Sequence, residues 1–364
     1  MKVKLSEVCN ITMGQSPDSS SYNQKSDGIP FFQGNADFGI LYPTVRIWTT
    51  SPKKIAKKDD ILISVRAPIG ALNYANIECC IGRGLASITP SKKVHSKYVF
   101  YLLKSKKNNL DSQGIGSTFK AIGRKNLEEI EIENLDIEYQ IKISSYLDSI
   151  QSAIDNKQQQ LKELDELVKS RFIEMFGDFD LYPQEKDWTP LKEISKVFTG
   201  TTPSTTDERN WNGDILWITP AEITSESFYI YKTERKITEK GRKSKSLDIM
   251  PEGTVLLSTR APIGKVGIVG TPMTCNQGFK NFYCDEKKIN PIFLYEILKY
   301  NTVFLNSKGT GTTFKELSKS NAEQIKIPVP PLELQNQFAT FVQQIDKSKF
   351  VSEQFMDSCY NMIR

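Results

Sequence analysis

The chain has 364 residues, 38% of them hydrophobic and 10% aromatic, which is enough apolar side chain for two or three packed units and excludes a disordered protein. Lysine and arginine outnumber aspartate and glutamate by 48 to 43, and this net charge of +5 weakly favours an anionic partner. No apolar run approaches the roughly 20 residues that cross a bilayer, and the first ten residues lack an export signal. We therefore expect a cytoplasmic protein with no membrane partner.

Cysteine and histidine offer little catalytic chemistry. Six cysteines occur, at Cys9, Cys79, Cys80, Cys275, Cys284 and Cys359. They form no Cys-x-x-Cys pair, so we expect reduced thiols and no zinc site. The single histidine, His95, lies in a polar stretch and is predicted at the surface. One histidine excludes most hydrolase and metal-dependent chemistry.

The first predicted domain covers residues 1–137 and mixes strands with short helices. Residues 61–66 (ILISVR) are β-rich and end in a tight Ala-Pro-Ile-Gly segment, whereas residues 98–103 have helical character. Long polar loops, such as the one that begins at Gly14, occupy much of the remainder. Because loops commonly carry binding groups, we expect the functional side chains there.

A long amphipathic helix is predicted within residues 138–185. Apolar residues recur at close to 3.5 positions from Glu138 to about Phe176, without an internal Pro or Gly, and Gly177 is placed to cap the end. Such a helix would be about 58 Å long at 1.5 Å per residue. Few compact domains need a rod of this length, so it is expected to connect domains.

Residues 186–327 repeat the first domain. SVRAPIG at 64–70 recurs as STRAPIG at 258–264, and GIGSTFK at 114–120 recurs as GTGTTFK at 309–315, whereas earlier segments match at an offset of 186 instead of 194 or 195. The extra residues of the second copy fall near 239–246 and carry four positive charges and one negative. A duplication that keeps the order of its motifs predicts two domains of one fold.

Residues 328–364 contain a second amphipathic helix, from about Glu333 to Met362. We expect the two long helices to pair as an antiparallel coiled coil, with an approximate internal twofold axis. The alternative is that each helix is buried on its own domain. The predicted fold class is α+β, with two duplicated domains separated by the two long helices.

Positive charge is concentrated in the predicted domains. Residues 1–137 carry a net +6 and residues 186–327 a net +5, whereas residues 138–185 carry −5 and residues 328–364 carry −1. Two basic, loop-rich domains suit double-stranded DNA contacted at two places. Phosphate contacts would supply affinity there, and base edges would supply sequence choice.

The candidate DNA-binding residues lie in the repeated motifs and in the basic insert. Arg66 and Arg260 each end a strand beside a turn, where they could brace a phosphate or read guanine, with a structural ion pair as the open alternative. Lys120 and Lys315 close the GSTFK and GTTFK segments, which either hold a phosphate or cap a helix with a phenylalanine as core anchor. The full set is Gln15, Gln33, Asn35, Arg66, Arg83, Lys120, Thr201, Thr202, Thr219, Lys240, Arg242, Lys243, Arg260, Gln277, Lys280 and Lys315.

The sequence lacks the motifs of ATP-hydrolysing and DNA-modifying enzymes. The Gly-x-Gly pairs at Gly114 and Gly309 are followed by neither a phosphate-binding lysine loop nor a dinucleotide fingerprint. The Pro-Pro pair at 330–331 lacks the flanking residues with which adenine methyltransferases hold a flipped base, and Asp-Glu-Lys at 285–287 lies in a solvated charge run. We therefore interpret the chain as non-catalytic, with no metal and no cofactor of its own.

Taken together, these features resemble the specificity subunits of type I restriction-modification systems, over essentially the whole chain. The resemblance rests on the duplicated Ser-x-Arg-Ala-Pro-Ile-Gly, the two Gly-[Ser/Thr]-Thr-Phe-Lys segments, Ile-x-Ile-Pro-x-Pro-Pro-Leu-Glu-x-Gln at 325–335 and Glu-Met-Phe-Gly-Asp at 174–178. The start of the first helix departs from the pattern, because residues 133–135 read Glu-Asn-Leu where residues 328–330 read Pro-Val-Pro.

The resemblance implies two target recognition domains that each read one half of an asymmetric, bipartite DNA site, with the helices as a ruler between them. The helices would dock two methylation subunits that bind S-adenosylmethionine, and restriction subunits that use ATP and Mg²⁺ would join the full complex. Two other classes stay open. A duplicated protein-binding scaffold is disfavoured by the positive domains, and a self-contained DNA-modifying enzyme is disfavoured by the missing motifs.

Overall fold

The computed structural model describes residues 2–115, 120–178, 188–224, 227–260, 262–302, 305 and 316–363. The chain divides into two compact units. The first unit comprises Met1–Lys157 with Phe355–Arg364, and the second comprises Gln158–Gln354. Each unit therefore holds one copy of the sequence repeat together with part of each long helix.

The long helices form close to where the apolar periodicity predicts them. The first long helix runs over Ile137–Phe176 and the second over Leu332–Ile363. Gly177 follows the first with φ +85°, and its N–H donates to the carbonyl of Ile173 at 2.8 Å. Glycine tolerates this left-handed conformation without a Cβ clash, which explains why the helix ends there.

Two sheets form the framework of the first unit. One is antiparallel, with strand order Cys9–Met13, Leu85–Pro90, Ile61–Ser64, Leu72–Tyr74. The other has strand order Tyr22–Asn23, Trp48–Thr49, Ile29–Phe32, Cys79–Ile81, Ile55–Ala56 and contains one parallel pair, Ile29–Phe32 with Cys79–Ile81. Lys2–Lys4 pairs with Glu131–Glu133. The short α-helices are Leu5–Val8, Ser96–Ser105, Lys107–Ser112 and Arg124–Glu128.

The second unit repeats this plan. Its larger sheet has strand order Ser195–Thr199, Phe279–Cys284, Val255–Ser258, Val266–Val269, Tyr229–Ile230. Its smaller sheet has strand order Arg235–Ile237, Trp211–Ile218, Met273–Cys275, and the last two strands are parallel. Thr189–Pro190 pairs with Lys326–Ile327. Within the described residues, its short α-helices are Leu191–Ile194, Glu239–Ser244, Pro291–Tyr300 and Lys319–Glu323.

The first four strands of the larger sheet in the second unit have the same order as the four-stranded sheet of the first. The strands that carry the repeated motif, Ile61–Ser64 and Val255–Ser258, are buried along their whole length. Their aliphatic and β-branched residues pack on both faces, which explains why each reads as a continuous apolar run. The mixed helix and sheet structure confirms the predicted α+β class.

In the second unit, the buried core joins the domain to both long helices. In the second unit, Val168 and Phe172 of the first long helix share one apolar cluster with Phe293 of the domain and with Phe338 and Val342 of the second long helix. Within the described ranges, every helix is either too short or too polar to span a lipid bilayer.

His95 differs from its predicted surface position. The residue is half-buried, its N–H donates to Gln140 Oε1 at 2.8 Å, and its Nδ1 lies 3.2 Å from Ser144 Oγ. Both partners belong to the first long helix. The histidine therefore connects the first domain to this helix, a contact that local sequence polarity does not indicate.

Candidate nucleic-acid interface

The Ser-x-Arg-Ala-Pro-Ile-Gly motif of the first domain forms a clamped turn. Ser64 Oγ donates to the carbonyl of Pro68 at 2.6 Å and accepts from the N–H of Ala71 at 2.9 Å. Gly70 closes the turn with φ +81°, a conformation that favours glycine. Arg66 is exposed at the start of this turn, so the motif holds its backbone in place while the side chain stays accessible.

The second copy builds the same turn with the same bonds. Ser258 Oγ donates to the carbonyl of Pro262 at 2.8 Å and accepts from the N–H of Lys265 at 2.9 Å. Gly264 has φ +102°, and Arg260 is exposed. The identical residues of the repeat therefore build the turn and present one arginine in each domain.

Three motifs of the first domain meet at this turn. The N–H of Val65 donates to the carbonyl of Gly84 at 2.9 Å, and the N–H of Gly84 donates to the carbonyl of Gln33 at 3.2 Å. A Cβ on Gly84 would lie 2.6 Å from the Gln33 carbonyl oxygen, so only glycine permits this approach. The motifs that the sequence repeats in order are thus adjacent in space.

A cavity of about 710 Å³ opens between these motifs. It is lined by Gln24, Phe31, Gln33, Gly34, Asn35, Ala36, Asp37, Arg46, Ile47, Arg66, Ala67, Pro68, Arg83 and Gly84. Four of the six candidates predicted for this domain, Gln33, Asn35, Arg66 and Arg83, line it. We call it the first-domain cavity.

The other two candidates of the domain, Gln15 and Lys120, do not line the first-domain cavity. The N–H of Gln15 donates to the carbonyl of Ile81 at 2.9 Å, and the carbonyl of Lys120 accepts from the N–H of Ala67 at 3.2 Å. Both side chains are exposed. Their backbones therefore support segments that form the cavity wall.

Most of the GSTFK segment, residues 116–119, lies outside the described residues. The choice between phosphate binding and helix capping by this segment therefore stays a prediction.

Asp37 and Arg46 are cavity residues that sequence reasoning missed. Asp37 Oδ2 accepts from the N–H groups of Gln33 at 2.7 Å and Gly34 at 3.3 Å, and Oδ1 accepts from Arg46 Nε at 3.2 Å. The carboxylate thus fixes the loop that carries two predicted readers. An acidic residue placed to cap the short helix Asn35–Asp37 was the available signal.

Arg66 and Arg83 have no ion-pair partner among the residues that the structure describes. Both line the first-domain cavity and both are exposed. A guanidinium that is free of a carboxylate can form paired hydrogen bonds with guanine O6 and N7 or with a phosphate. The cavity therefore combines two free cations with the amide side chains of Gln33 and Asn35, groups that suit base edges.

The second domain brings together another set of predicted residues. Thr202 Oγ1 donates to Gln277 Oε1 at 2.7 Å, and the N–H of Thr201 donates to the carbonyl of Cys275 at 3.1 Å. The N–H and Oγ1 of Thr219 both donate to Glu222 Oε1, at 2.8 and 3.0 Å. This capping carboxylate fixes its loop as Asp37 does in the first domain.

Arg260 differs from Arg66 in its partner. Its Nε lies 3.1 Å from Glu316 Oε1, so the ion pair left open by the sequence is present in the second copy. The candidate Lys280 is only 8% exposed, and its Nζ lies 3.5 Å from Thr259 Oγ1. Burial lowers the pKa of Lys280. This lysine therefore contacts the strand end next to Arg260 and not the open surface.

The basic insert forms the short helix Glu239–Ser244, and three of its four cations are paired. Lys240 Nζ lies 2.9 Å from Asp207 Oδ2, Arg242 Nη2 lies 2.7 Å from Glu239 Oε1, and Lys243 Nζ lies 3.6 Å from the same oxygen. Hydrogen bonds from Arg209 and Lys240 lower the pKa of Asp207. The local charge is thus smaller than the insert alone suggests.

An arginine stacked on two tryptophans lies next to the predicted threonines of the second domain. Arg235, which sequence reasoning missed, stacks its guanidinium 3.5 Å from the ring centre of Trp211 and 5.4 Å from that of Trp217. The Trp217 indole donates to the carbonyl of Thr201 at 3.1 Å, so this stack adjoins the predicted threonines.

The candidate Lys315 lies outside the described residues. Across the described part of the chain, no group of acidic, cysteine or histidine side chains is arranged to hold a metal ion.

Comparison with known proteins identifies specificity subunits of type I restriction enzymes among the relatives of this chain. The chain is 40% identical over 185 residues to the type I restriction enzyme MjaIX specificity subunit of Methanocaldococcus jannaschii, an alignment that covers 50% of this chain but only 43% of that protein. It is 24% identical over 340 residues to the MjaVIII specificity subunit of the same organism, which covers 85% of this chain and 76% of the relative.

A solved structure and a family model extend over both copies. The crystal structure of the type I restriction-modification system S subunit from M. genitalium matches all of this chain and 93% of that one, with a TM-score of 0.60 at 17% identity, which shows a shared fold. The family model described as the type I restriction modification DNA specificity domain matches residues 1–166 and again residues 184–354. The predicted duplication is thus confirmed, and the chain belongs to the type I restriction modification DNA specificity domain family.

Proposed function

We propose that this chain is the DNA-recognition subunit of a type I restriction-modification complex and that each domain reads one half of an asymmetric, bipartite site. The first-domain cavity would read one half-site with Gln33, Asn35, Arg66 and Arg83. Thr201, Thr202, Thr219 and Gln277, together with Arg260, would read the other. Phosphate contacts from the surrounding lysines would hold the duplex in place.

One observation carries this proposal. The two domains share a clamped turn and a common strand order, but the side chains that surround the turn differ. One copy has two amides and two arginines without an ion pair to any described residue, and the other has threonines, a glutamine and a paired arginine. A shared scaffold with different polar side chains is what two different DNA half-sites require, because base choice depends on donors and acceptors at base edges.

The long helices would pair as an antiparallel coiled coil. The rings of Phe172 and Phe338 lie 5.4 Å apart within the second unit, and Lys349 Nζ lies 2.5 Å from Asp165 Oδ1. The residue number falls along one helix as it rises along the other, which supports antiparallel pairing. The apolar period close to 3.5 residues gives each helix the seam that such packing needs.

The same helices would dock two methylation subunits. Several large apolar side chains on them are at least 37% exposed, namely Ile137, Tyr139, Ile141, Tyr146, Leu167, Ile173, Leu334, Phe350, Val351 and Phe355. Exposed apolar side chains in this number favour a protein interface. Restriction subunits would add to that core.

The methylation and restriction subunits would carry out the catalytic steps. S-adenosylmethionine would bind to the methylation subunits, and ATP and Mg²⁺ to the restriction subunits, so the chain itself would be non-catalytic and act in the cytoplasm. The absence of methyltransferase and ATPase motifs from the sequence supports this division of roles.

Methylome sequencing of cells that express this chain with its methylation subunits tests the proposal. We expect one asymmetric motif of two specific parts separated by a nonspecific spacer. Replacing residues 1–137 with the equivalent domain of another family member should change one half of the motif only. Methylation at a single continuous motif, or methylation by this chain alone, would contradict the proposal.

A further inference from the structure

A hairpin on the first domain carries apolar residues that the described part of the domain does not cover. Ile40 is fully exposed, at 104% of its reference area, and its neighbours Leu41 and Tyr42 are 41% and 49% exposed. An isolated exposed isoleucine is ordinary, but three consecutive apolar residues at the tip of one loop are not. The tip therefore needs a partner.

The backbone bonds of the hairpin hold its tip rigidly. The N–H of Gly39 donates to the carbonyl of Tyr42 at 3.1 Å, and the N–H of Tyr74 donates to the carbonyl of Leu41 at 2.8 Å. The buried side chain of Asn73 both accepts from the N–H of Gly39 and donates to its carbonyl, each at 3.1 Å. A tip that is already ordered loses little entropy on contact with a partner.

The position of the hairpin favours DNA as that partner. The chain leaves the wall of the first-domain cavity at Asp37 and returns to it at Arg46. Ile40 lies three positions after Asp37, and an extended chain of three residue steps spans about 11 Å, less than the major-groove width of a duplex. DNA that presents its bases to the cavity would therefore also lie against the hairpin tip.

We propose that Ile40 and Leu41 enter the DNA as an apolar wedge that partly unstacks one base-pair step beside the first half-site. This inference rests on the proposed function of the first-domain cavity. Apolar side chains that protrude next to a polar reading surface are used in this way by proteins that kink DNA. Unstacking depends on the deformability of the step, so the wedge would add sequence preference at a position that no polar side chain contacts.

The test uses the complex of this chain with its methylation subunits and duplexes that carry the methylated site. 2-Aminopurine, whose fluorescence rises when it is unstacked, is placed at each position in and beside the first half-site. We expect a rise of about threefold at one step other than the methylated adenine, retained in Ile40→Leu and lost in Ile40→Ser. Ile40→Ser should also weaken binding about tenfold, equivalent to about 1.4 kcal/mol.

Ile77→Ser is the matched control, because Ile77 is also an exposed isoleucine of the first domain but lies outside the hairpin between Asp37 and Arg46. It should leave both the signal and the affinity unchanged. Tight, specific binding with a fluorescence rise at no position other than the methylated adenine would overturn the wedge proposal. The proposed function would still stand. Loss of methylation subunits from Ile40→Ser on size-exclusion chromatography would assign the tip to a protein contact instead. A wild-type complex without preference at the first half-site would overturn the proposed function itself.

Discussion

At the residue scale, Arg66 and Arg260 show how one repeated position can differ in chemistry. Each forms an isolated backbone bridge, Arg66 with Ala121 and Arg260 with Glu316, at equivalent places in the repeat. The alanine offers the first arginine no carboxylate, whereas the glutamate binds the second at 3.1 Å. An exposed pair of this kind is worth at most about 1 kcal/mol, so Arg260 can still exchange Glu316 for DNA at a modest cost.

We therefore expect both Arg66→Ala and Arg260→Ala to weaken DNA binding by the assembled complex, and Arg66→Ala to weaken it more. Loss of one bidentate base contact costs about 1–3 kcal/mol, which is about 5- to 150-fold in affinity. Fluorescence anisotropy with the methylated site measures the effect. Arg124→Ala, which removes an exposed arginine paired with Glu128, is the control. Unchanged affinity in both variants would show that neither arginine contacts DNA.

Glu296 is a second residue whose surroundings decide its chemistry. It is only 2% exposed, Tyr300 hydrogen-bonds to its carboxyl group, and Oε2 has no hydrogen-bond partner among the residues described. Burial raises the pKa of Glu296. The folded state therefore favours the neutral acid, and the contribution of this group to stability is lost as the pH rises through the folded-state pKa.

We expect Glu296→Gln to raise the thermal unfolding temperature relative to the wild type by more at pH 8 than at pH 5. The glutamine never ionises, so it avoids the cost of burying a carboxylate. Each kcal/mol corresponds to about 2–4 °C for a unit of this size. Glu286→Gln, at an exposed glutamate of the same unit, should show no such pH dependence. An equal shift at both pH values would mean that Glu296 is ionised throughout.

At the element scale, Phe172 packs the first long helix against the rest of the second unit. Its ring lies 5.4 Å from Phe338 of the second long helix and 5.8 Å from Phe293 of the domain. One aromatic side chain thus joins three elements. Apolar periodicity predicted that this face of the helix would be buried, but it did not identify the partners, because the pattern of one helix does not specify what packs on it.

Phe172→Ala should destabilise the second unit by about 3–5 kcal/mol, since it removes a buried ring and leaves a cavity among aromatic neighbours. Ile173→Ala, one position along the same helix and 37% exposed, should cost less than about 1 kcal/mol. Urea denaturation followed by circular dichroism compares the two variants. Similar losses would show that helix propensity, rather than this packing, governs the stability of the segment.

At the scale of the whole molecule, the division into two units cuts through both long helices. The boundary between them falls between Lys157 and Gln158 in the first helix and between Gln354 and Phe355 in the second. An insertion within one residue of each boundary therefore keeps each domain with its own portions of both helices. If the paired helices set the spacing of the half-sites, such an insertion changes that spacing alone.

We expect four residues inserted after Gln158 and four after Gln354 to lengthen the spacer of the methylated motif by about two base pairs, because four helical residues add about 6 Å and each base pair about 3.4 Å. Both half-sites should stay the same in methylome sequencing. The single insertion after Gln158 is the control, and it should abolish methylation by shifting one helix against the other. Methylation at the original spacer would contradict a measuring role for the helices.

The sequence alone determined the duplication, the α+β class, the two long helices and the family, because these depend on local patterns and on short motifs repeated in order. Ser64, Gly70 and their counterparts could be placed at a tight turn because local backbone geometry restricts the residue types. Gln33, Asn35, Arg66 and Arg83 could be nominated as polar residues near glycine, but nothing in their spacing showed that they line one cavity.

Only the tertiary structure decided which charged side chains form ion pairs. Arg66 and Arg260 have the same local sequence, yet Arg66 forms no ion pair with any residue that the structure describes, whereas Arg260 faces Glu316, which is 56 positions away in the chain. Lys280 and His95 are polar residues that the fold covers. Coulombic pairing and burial depend on distances between segments far apart in sequence, and those distances exist only once the strands and helices have packed.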